Sequence, residues 1–169
     1  MENYHTMFRK IIEEHKVIRG HIKLAGDSVS DRVAIDALRK ARADWTPGRL
    51  EILSEKQKKL QQTLSFLDEG LQNHFALEAR YLPPFLGELL MRALLLDHRE
   101  IKKRIDEAKS VVTDTELEGL SQEELLSKEA RMQQLVNALS RAVGEHAARE
   151  EILLRMLQKG LEDRGMTIS

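Results

Sequence analysis

Two segments of the sequence carry a histidine followed four residues later by a glutamate. The first pair is His74 and Glu78, and the second is His146 and Glu150. Residues four apart share one face of a helix, so each pair would present an imidazole and a carboxylate together. Imidazole and carboxylate donors suit iron, manganese or zinc better than calcium or magnesium, which prefer oxygen donors alone. The two pairs therefore predict a metal site.

Two further histidines stand alone, each ahead of one pair. His15 precedes the first pair and His98 precedes the second, so the order of donors repeats within the chain. The repeat indicates a duplicated helix pair and an approximately two-fold site. Each half supplies two histidines and one carboxylate, which is the inventory for two metal ions bridged by two carboxylates. The predicted ligands are His15, His74, Glu78, His98, His146 and Glu150.

The sequence contains no cysteine. This absence excludes disulfides, thiolate catalysis, zinc fingers and cysteine-ligated iron–sulfur clusters from the possible functions. Any metal site must therefore be built from imidazole and carboxylate.

Helix start and stop signals divide the chain into four long helices and one short one. Pro47 follows the possible N-cap Thr46, and the pair Pro83-Pro84 interrupts the chain between the second and third helices. Ser121 and Glu124 form a capping box at the start of the fourth helix. The stretch Gly-Asp-Ser at 26–28 is predicted to end the first helix. The predicted long helices span about 4–25, 47–82, 84–112 and 122–163, and a short amphipathic helix spans about 31–43.

Each long helix has one stripe of residues spaced three and four apart that faces a common core. The stripes are apolar except for tyrosines and the predicted ligands, and each contains one histidine. We therefore predict one all-α domain over residues 1–169, built as a four-helix bundle. The core stripes are Tyr4, Phe8, Ile11, His15, Ile18, Ile22 and Ala25; Leu60, Leu64, Leu67, Leu71, His74, Glu78 and Tyr81; Met91, Leu94, His98, Ile101, Ile105, Ala108 and Val112; and Met132, Val136, Leu139, Val143, His146, Glu150, Leu153 and Leu157.

Three other candidate donors lie off the stripes. His5 and His21 do not continue the first stripe, and Glu151 is rotated by about 100° from Glu150. We therefore leave them out of the predicted ligand set. Tyr81 is expected to be a core residue whose hydroxyl points at the site. The remaining nearby acids are expected to be surface charges, one of which is placed to hold a ligand histidine: Glu13, Glu14 and Glu145.

The two glutamates on the stripes are the strongest argument for a bound cation. Burying a carboxylate without a partner costs several kcal/mol. No Lys or Arg occupies a core stripe to pair with Glu78 or Glu150. A pair of metal ions is the simplest compensation, and iron, zinc or manganese would each accept these donors. The alternative is a metal-free helical interaction module whose histidines are ordinary core residues.

The sequence resembles the hemerythrin-like (HHE cation-binding) family over its four long helices. The resemblance lies in the order of donors and in the segments Asn-His-Phe-Ala-Leu-Glu-Ala-Arg-Tyr-Leu-Pro (73–83) and Glu-His-Ala-Ala-Arg-Glu-Glu-Ile-Leu (145–153). It implies an up-and-down bundle with two non-haem iron ions bridged by carboxylates and an oxo or hydroxo group. The implied bridges are Glu78 and Glu150, with His15 and His74 on one metal and His98 and His146 on the other.

The chain departs from the classical oxygen carriers of that family at two positions. Those proteins have a second histidine one turn after the third-helix histidine, where this chain has Lys102. They also use a carboxylate five residues after the fourth-helix histidine, which would select Glu151 here. With one fewer protein ligand, a metal keeps more open positions, which favours a reactive or sensing centre over reversible oxygen transport.

The expected function is a di-iron protein that binds or senses oxygen, peroxide or nitric oxide. The donor order is also similar to that of di-iron proteins that repair nitric-oxide-damaged iron–sulfur centres, although those carry a cysteine-containing segment. A di-iron oxidoreductase or an iron–sulfur repair factor is therefore the alternative.

The expected partner of this chain is a small diatomic molecule or peroxide. With 27 basic and 28 acidic residues, its near-neutral charge predicts no binding to nucleic acid. No apolar stretch approaches the roughly 20 residues that span a bilayer. The first residues lack the pattern of a signal peptide, so a cytoplasmic location is expected. The oligomeric state stays open.

Overall fold

The computed structural model describes residues 4–30, 47–114, 116 and 119–164. These residues form four helices and no strands. The predicted short helix at 31–43 lies outside the described residues. In chain order, the helices are α1 (Tyr4–Ser30), α2 (Pro47–Tyr81), α3 (Pro83–Asp114) and α4 (Gln122–Asp163).

The predicted start of α4 is confirmed by its capping box. The Ser121 hydroxyl accepts a hydrogen bond from the backbone N–H of Glu124 at 3.3 Å, and the Glu124 carboxylate accepts one from the Ser121 N–H at 2.7 Å. These two bonds satisfy donors that the first turn of a helix leaves unpaired. The cap therefore fixes where α4 begins.

Leu82 alone separates α2 from α3. Its backbone N–H donates to the carbonyl of Glu78 at 2.9 Å, and its carbonyl accepts from Phe85 at 3.0 Å and Leu86 at 3.1 Å. Within α3, Gly87 has φ 69° and ψ 177°, a left-handed conformation that favours glycine and kinks the helix. The double proline and this glycine make the sharp reversal that sets α3 beside α2.

Two helix ends differ from the sequence prediction. α1 continues to Ser30 instead of stopping before Gly26, and α3 continues to Asp114. A glycine inside a helix costs only about 1 kcal/mol, which a neighbouring run of helical residues can overcome. A glycine without a following proline is therefore a weak stop signal.

The helices run alternately up and down around a common core. α1 and α3 each pack against both α2 and α4. One end of the bundle holds the later core residues of α1 and α3 and the earlier ones of α2 and α4, while the other end holds the converse set. Successive helices are therefore antiparallel. None of the described helices has an apolar stretch long enough to cross a membrane.

Two apolar clusters form the core and leave a polar layer between them. The larger cluster includes Ile18, Leu64, Ile105 and Val136, and the smaller includes Phe8. Most predicted stripe residues are buried. Among the stripe residues whose side chains the structure describes, the exceptions are Tyr4, which is exposed, and a set that is half-buried, whereas the unpredicted Leu154 is buried. The half-buried stripe residues are Tyr81, Met132, Leu153 and Leu157.

Candidate metal centre

The polar layer between the two apolar clusters contains all six predicted ligand residues. α1 contributes His15, α2 contributes His74 and Glu78, α3 contributes His98, and α4 contributes the other two. Each has between 0% and 6% of its surface exposed. The structure therefore brings the predicted set together from four helices, with His146 and Glu150 supplied by α4.

Glu78 lies at the middle of this group and contacts every histidine. Its Oε1 contacts His74 Nε2 and lies 3.8 Å from His15 Nε2. Its Oε2 lies 2.8 Å from His98 Nε2 and 4.0 Å from His146 Nε2. The two oxygens therefore divide the histidines into two pairs, one from α1 and α2 and the other from α3 and α4.

Glu150 contacts one histidine of each pair. Its Oε2 lies 3.2 Å from His15 Nε2 and 3.5 Å from His146 Nε2. Donor atoms of these three residues and Glu78 all lie within 4.8 Å of one another, a spacing that could hold a metal ion. His74 and His98 lie on either side of these four residues, where each contacts one oxygen of Glu78.

The donor atoms at the centre are buried and lack hydrogen bonds of acceptable geometry with any residue that the structure describes. They are the Nε2 atoms of the four histidines and both carboxylate oxygens of Glu78 and Glu150. Leaving such groups unsatisfied is costly, and more so for a charged group. Unsatisfied imidazole nitrogens and carboxylate oxygens that converge on one point are the donors of a transition-metal site. The residues therefore fit bound metal ions.

Two of the histidines accept support from carboxylates outside the group, which contact their outer nitrogens, Nδ1. Glu14 Oε2 lies 2.8 Å from Nδ1 of His74, so Nδ1 donates and Nε2 is directed inward. Glu151 Oε1 lies 3.2 Å from Nδ1 of His15 and also accepts from Arg19 at 3.0 Å. This outer contact fixes the ring orientation of a metal-binding histidine and raises its basicity.

The two remaining histidines have different outer neighbours. Asp97 Oδ2 lies 3.5 Å from Nδ1 of His146 and accepts a hydrogen bond from Arg149 at 2.7 Å. The ring of His98 is stacked on Phe75, with ring centroids 3.8 Å apart and an angle of 11° between the planes. The α3 histidine is thus supported by an aromatic ring.

One of these three outer carboxylates belongs to a predicted group. The sequence predicts that one acid among Glu13, Glu14 and Glu145 holds a ligand histidine, and Glu14 contacts His74. The outer contacts of Glu151 and Asp97 are not predicted. Each of the three acids stands one residue from a core-stripe position, and so is rotated about 100° toward a neighbouring helix. An acid directly beside a stripe ligand is the signal that would have found all three.

In the metal-free protein the two central carboxylates have opposite pKa shifts. Burial would raise the pKa of Glu78, but its contacts with His15, His74 and His98 outweigh burial and hold that pKa well below the usual range. Burial and the nearby Glu78 charge raise the pKa of Glu150 to about 7, against the lowering effect of His15. Two like charges in one buried site cannot both ionise easily.

The histidines also differ. Burial would lower the pKa of His15, but Glu150 and Glu78 outweigh it and raise the value to about 9. The pKa of His74 is raised by Glu78 and Glu14 in spite of burial. Burial lowers the pKa of His146 to about 4. A bound cation favours neutral imidazole and ionised carboxylate, so metal binding would release protons from this group.

The two histidines that the prediction left out of the ligand set lie away from the centre. His21 Nδ1 donates to the carbonyl of Val17 at 2.9 Å, and His5 contacts Gln158. Tyr81 packs against the smaller apolar cluster, and the direction of its hydroxyl stays a prediction.

Comparison with known protein families identifies the family to which the chain belongs. The chain matches the family model described as the hemerythrin HHE cation binding domain over residues 6–157. No curated protein and no solved structure matches the chain. The matched region covers most of the 169 residues and contains all six buried residues of the centre. The chain therefore belongs to the hemerythrin HHE cation-binding family, whose domains bind metal cations.

Proposed function

We propose that the chain binds two iron ions through His15, His74, Glu78, His98, His146 and Glu150, and that this centre binds or senses oxygen, peroxide or nitric oxide. One observation carries the proposal: eight buried donor atoms converge from four helices without a hydrogen bond among the described residues. Bound cations would satisfy four nitrogens and four carboxylate oxygens at once.

The division of the histidines by Glu78 supports two ions instead of one. His15 and His74 approach one of its oxygens, while His98 and His146 approach the other. Glu150 contacts one member of each pair. In the proposed site each histidine pair would hold one ion, and both carboxylates would bridge.

The surroundings of Lys102 support a centre with open positions. Its ammonium group donates to Asp68 at 3.1 and 3.2 Å and to Asp106, so it is held by these carboxylates. The position that adds a histidine in the classical carriers therefore supplies no donor here. Iron ions bound by the remaining residues would supply redox-active positions open to a small ligand, while the apolar clusters exclude bulk water.

The alternative within the same chemistry is a di-iron oxidoreductase or an iron–sulfur repair factor. Both alternatives use the same residues and the same open positions. Consumption of peroxide or nitric oxide over many cycles would indicate an enzyme, whereas binding at one equivalent would indicate a sensor or a store.

Metal analysis tests the proposal directly. Protein purified under iron-replete conditions should contain close to two iron ions per chain and show a visible spectrum that changes on exposure to oxygen. His74→Ala removes a buried donor and should lower both iron content and absorbance. His21→Ala is the matched control on the surface of α1, because this histidine bonds to its own helix, and it should leave both unchanged.

A different result would support the metal-free interaction module. That result is wild-type protein with far less than one metal per chain, and His74→Ala with unchanged stability and absorbance. Zinc or manganese at full occupancy with no iron would retain the site and overturn the choice of metal.

A further inference from the structure

A surface groove between α2 and α3 reaches the polar layer at His98. Its volume is about 440 Å³, and its lining includes Phe75, Ala76, Leu95, His98 and Lys102. His98 is thus shared between the groove and the centre. It is also the most exposed of the four central histidines, at 6% against 1–2% for the others.

Phe75 stands between the groove and the histidines of one pair. Its ring is stacked on His98 at 3.8 Å and meets the edge of His146 at 5.8 Å. Only 8% of the residue is exposed. An aromatic ring held by packing alone can change rotamer on a nanosecond timescale or slower, without breaking a hydrogen bond. A rotamer change of Phe75 would therefore uncover the ring of His98.

The groove has the chemistry of an entrance for small ligands. Its lining includes the apolar side chains of Phe75, Ala76 and Leu95, and Arg99 adds a positive charge, whereas the charge of Lys102 is paired with Asp68 and Asp106. Apolar surface admits a small neutral molecule, and the charge of Arg99 favours a small anion over a cation. Carboxylates contact the other three central histidines from behind, so those approaches are blocked by charged groups.

We propose that small neutral or singly negative ligands reach the His98–His146 side of the centre through this groove, and that Phe75 is the gate. The groove would serve this purpose only if the chain binds metal as proposed above. What is added is the route by which the ligand enters and the side of the centre that it reaches. It assigns Phe75 a positioning role, since the ring covers the site without supplying a donor.

The first test needs no metal. Diethyl pyrocarbonate is applied to the metal-free protein, and modification of each histidine is followed by peptide mass spectrometry. Phe75→Leu should speed modification of His98 severalfold and leave His15 and His74 slow. Phe8→Leu is the control, because Phe8 is also buried, at 1% exposure against 8% for Phe75, but lies in the smaller apolar cluster against Phe85, and it should change nothing at His98.

The second test uses azide with the iron-loaded protein in a stopped-flow instrument. Phe75→Leu should raise the association rate constant severalfold. Ala76→Trp should lower it severalfold by filling the groove from an exposed position, which leaves the core intact. Ala79→Trp, also exposed and one turn further along α2, is the control and should bind azide at the wild-type rate.

The outcomes separate the route from the function. If iron binds but azide association is the same in Ala76→Trp, Ala79→Trp and wild type, the groove is not the entrance although the centre stands. Equal acceleration of all four histidines in Phe75→Leu would show general loosening and overturn the gate. If no iron binds, the proposed function fails, and selective acceleration at His98 would still establish Phe75 as its cover.

Discussion

The two His-x-x-x-Glu segments have the same spacing and nearly the same burial, but their carboxylates have different surroundings. Glu78 contacts all four central imidazoles through its two oxygens. Glu150 contacts two of them through Oε2 alone. In the metal-free protein the pKa of Glu78 is therefore lowered, whereas burial and the Glu78 charge raise the pKa of Glu150 to about 7.

This difference shows that the spacing of a motif does not decide the charge state of its carboxylate. Burial opposes ionisation at both residues, and the number of nearby imidazoles decides which of them stays charged. Glu78 has enough partners to remain an anion without metal. Glu150 depends on a cation for its charge, so the two carboxylates should respond differently when each is neutralised.

The largest expected effect is the loss of metal from Glu78→Gln compared with Glu150→Gln. Glutamine keeps the size of the side chain and removes the charge. Glu78→Gln should lose both ions, because it removes the one carboxylate that contacts all four histidines. Glu150→Gln should keep measurable metal at lower affinity. Metal content after gel filtration and titration with a competing chelator would measure both, and equal losses would contradict the ranking.

The same two variants should also differ in stability when metal is removed. Glu78→Gln breaks a buried charged group and should cost about 3–5 kcal/mol. Folding raises the pKa of Glu150 from its ordinary value of 4.5 to about 7, so the folded state holds a proton that the unfolded state releases, and stability falls as pH rises through this range. Glu150→Gln removes that loss, so urea unfolding in chelator at pH 8 should find it at least as stable as wild type.

The next effect in size concerns the carboxylates behind the histidines. Glu14→Gln weakens the hydrogen bond to Nδ1 of His74 and should lower metal affinity by about 10–100-fold. Glu13→Gln is the matched control one residue earlier, because Glu13 is exposed and pairs with Lys16 at 3.1 Å. Isothermal titration with the metal would compare them, and equal affinities would show that Glu14 does not support the centre.

The sequence was sufficient to predict the helical bundle and the burial of the six ligand residues, because both follow from the helical period of 3.6 residues. Stripes spaced three and four apart place each histidine in the core regardless of loop details. The prediction was wrong beyond Glu150, where it placed Leu153, three residues on, in the core. The next buried residue is Leu154, four residues on, and Leu153 is only half-buried. The roles of Asp97 and Phe75 depend on how neighbouring helices are rotated, which the period of one helix does not specify.

The smallest effect concerns Asp68, which is buried like Glu78 and Glu150 but is already paired with lysine side chains. Its carboxylate accepts from Lys109 at 2.8 Å and from Lys102 at 3.1 Å. Although burial opposes the shift, these two lysines lower its pKa. Such a carboxylate contributes stability above its unfolded pKa, and this contribution is lost as pH falls through the lower folded value.

Asp68→Asn should therefore destabilise the protein by only about 1 kcal/mol near neutral pH, because the lysines are partly exposed and solvent screens them. The difference from wild type should shrink as pH falls below 3.8, the ordinary pKa of this carboxyl. Metal content should not change, since lysines already satisfy this carboxylate. Urea unfolding across pH, with metal analysis of the same samples, would measure both. Loss of metal in Asp68→Asn would instead place Asp68 with Glu78 and Glu150, and show that a lysine partner does not separate structural from metal-binding carboxylates here.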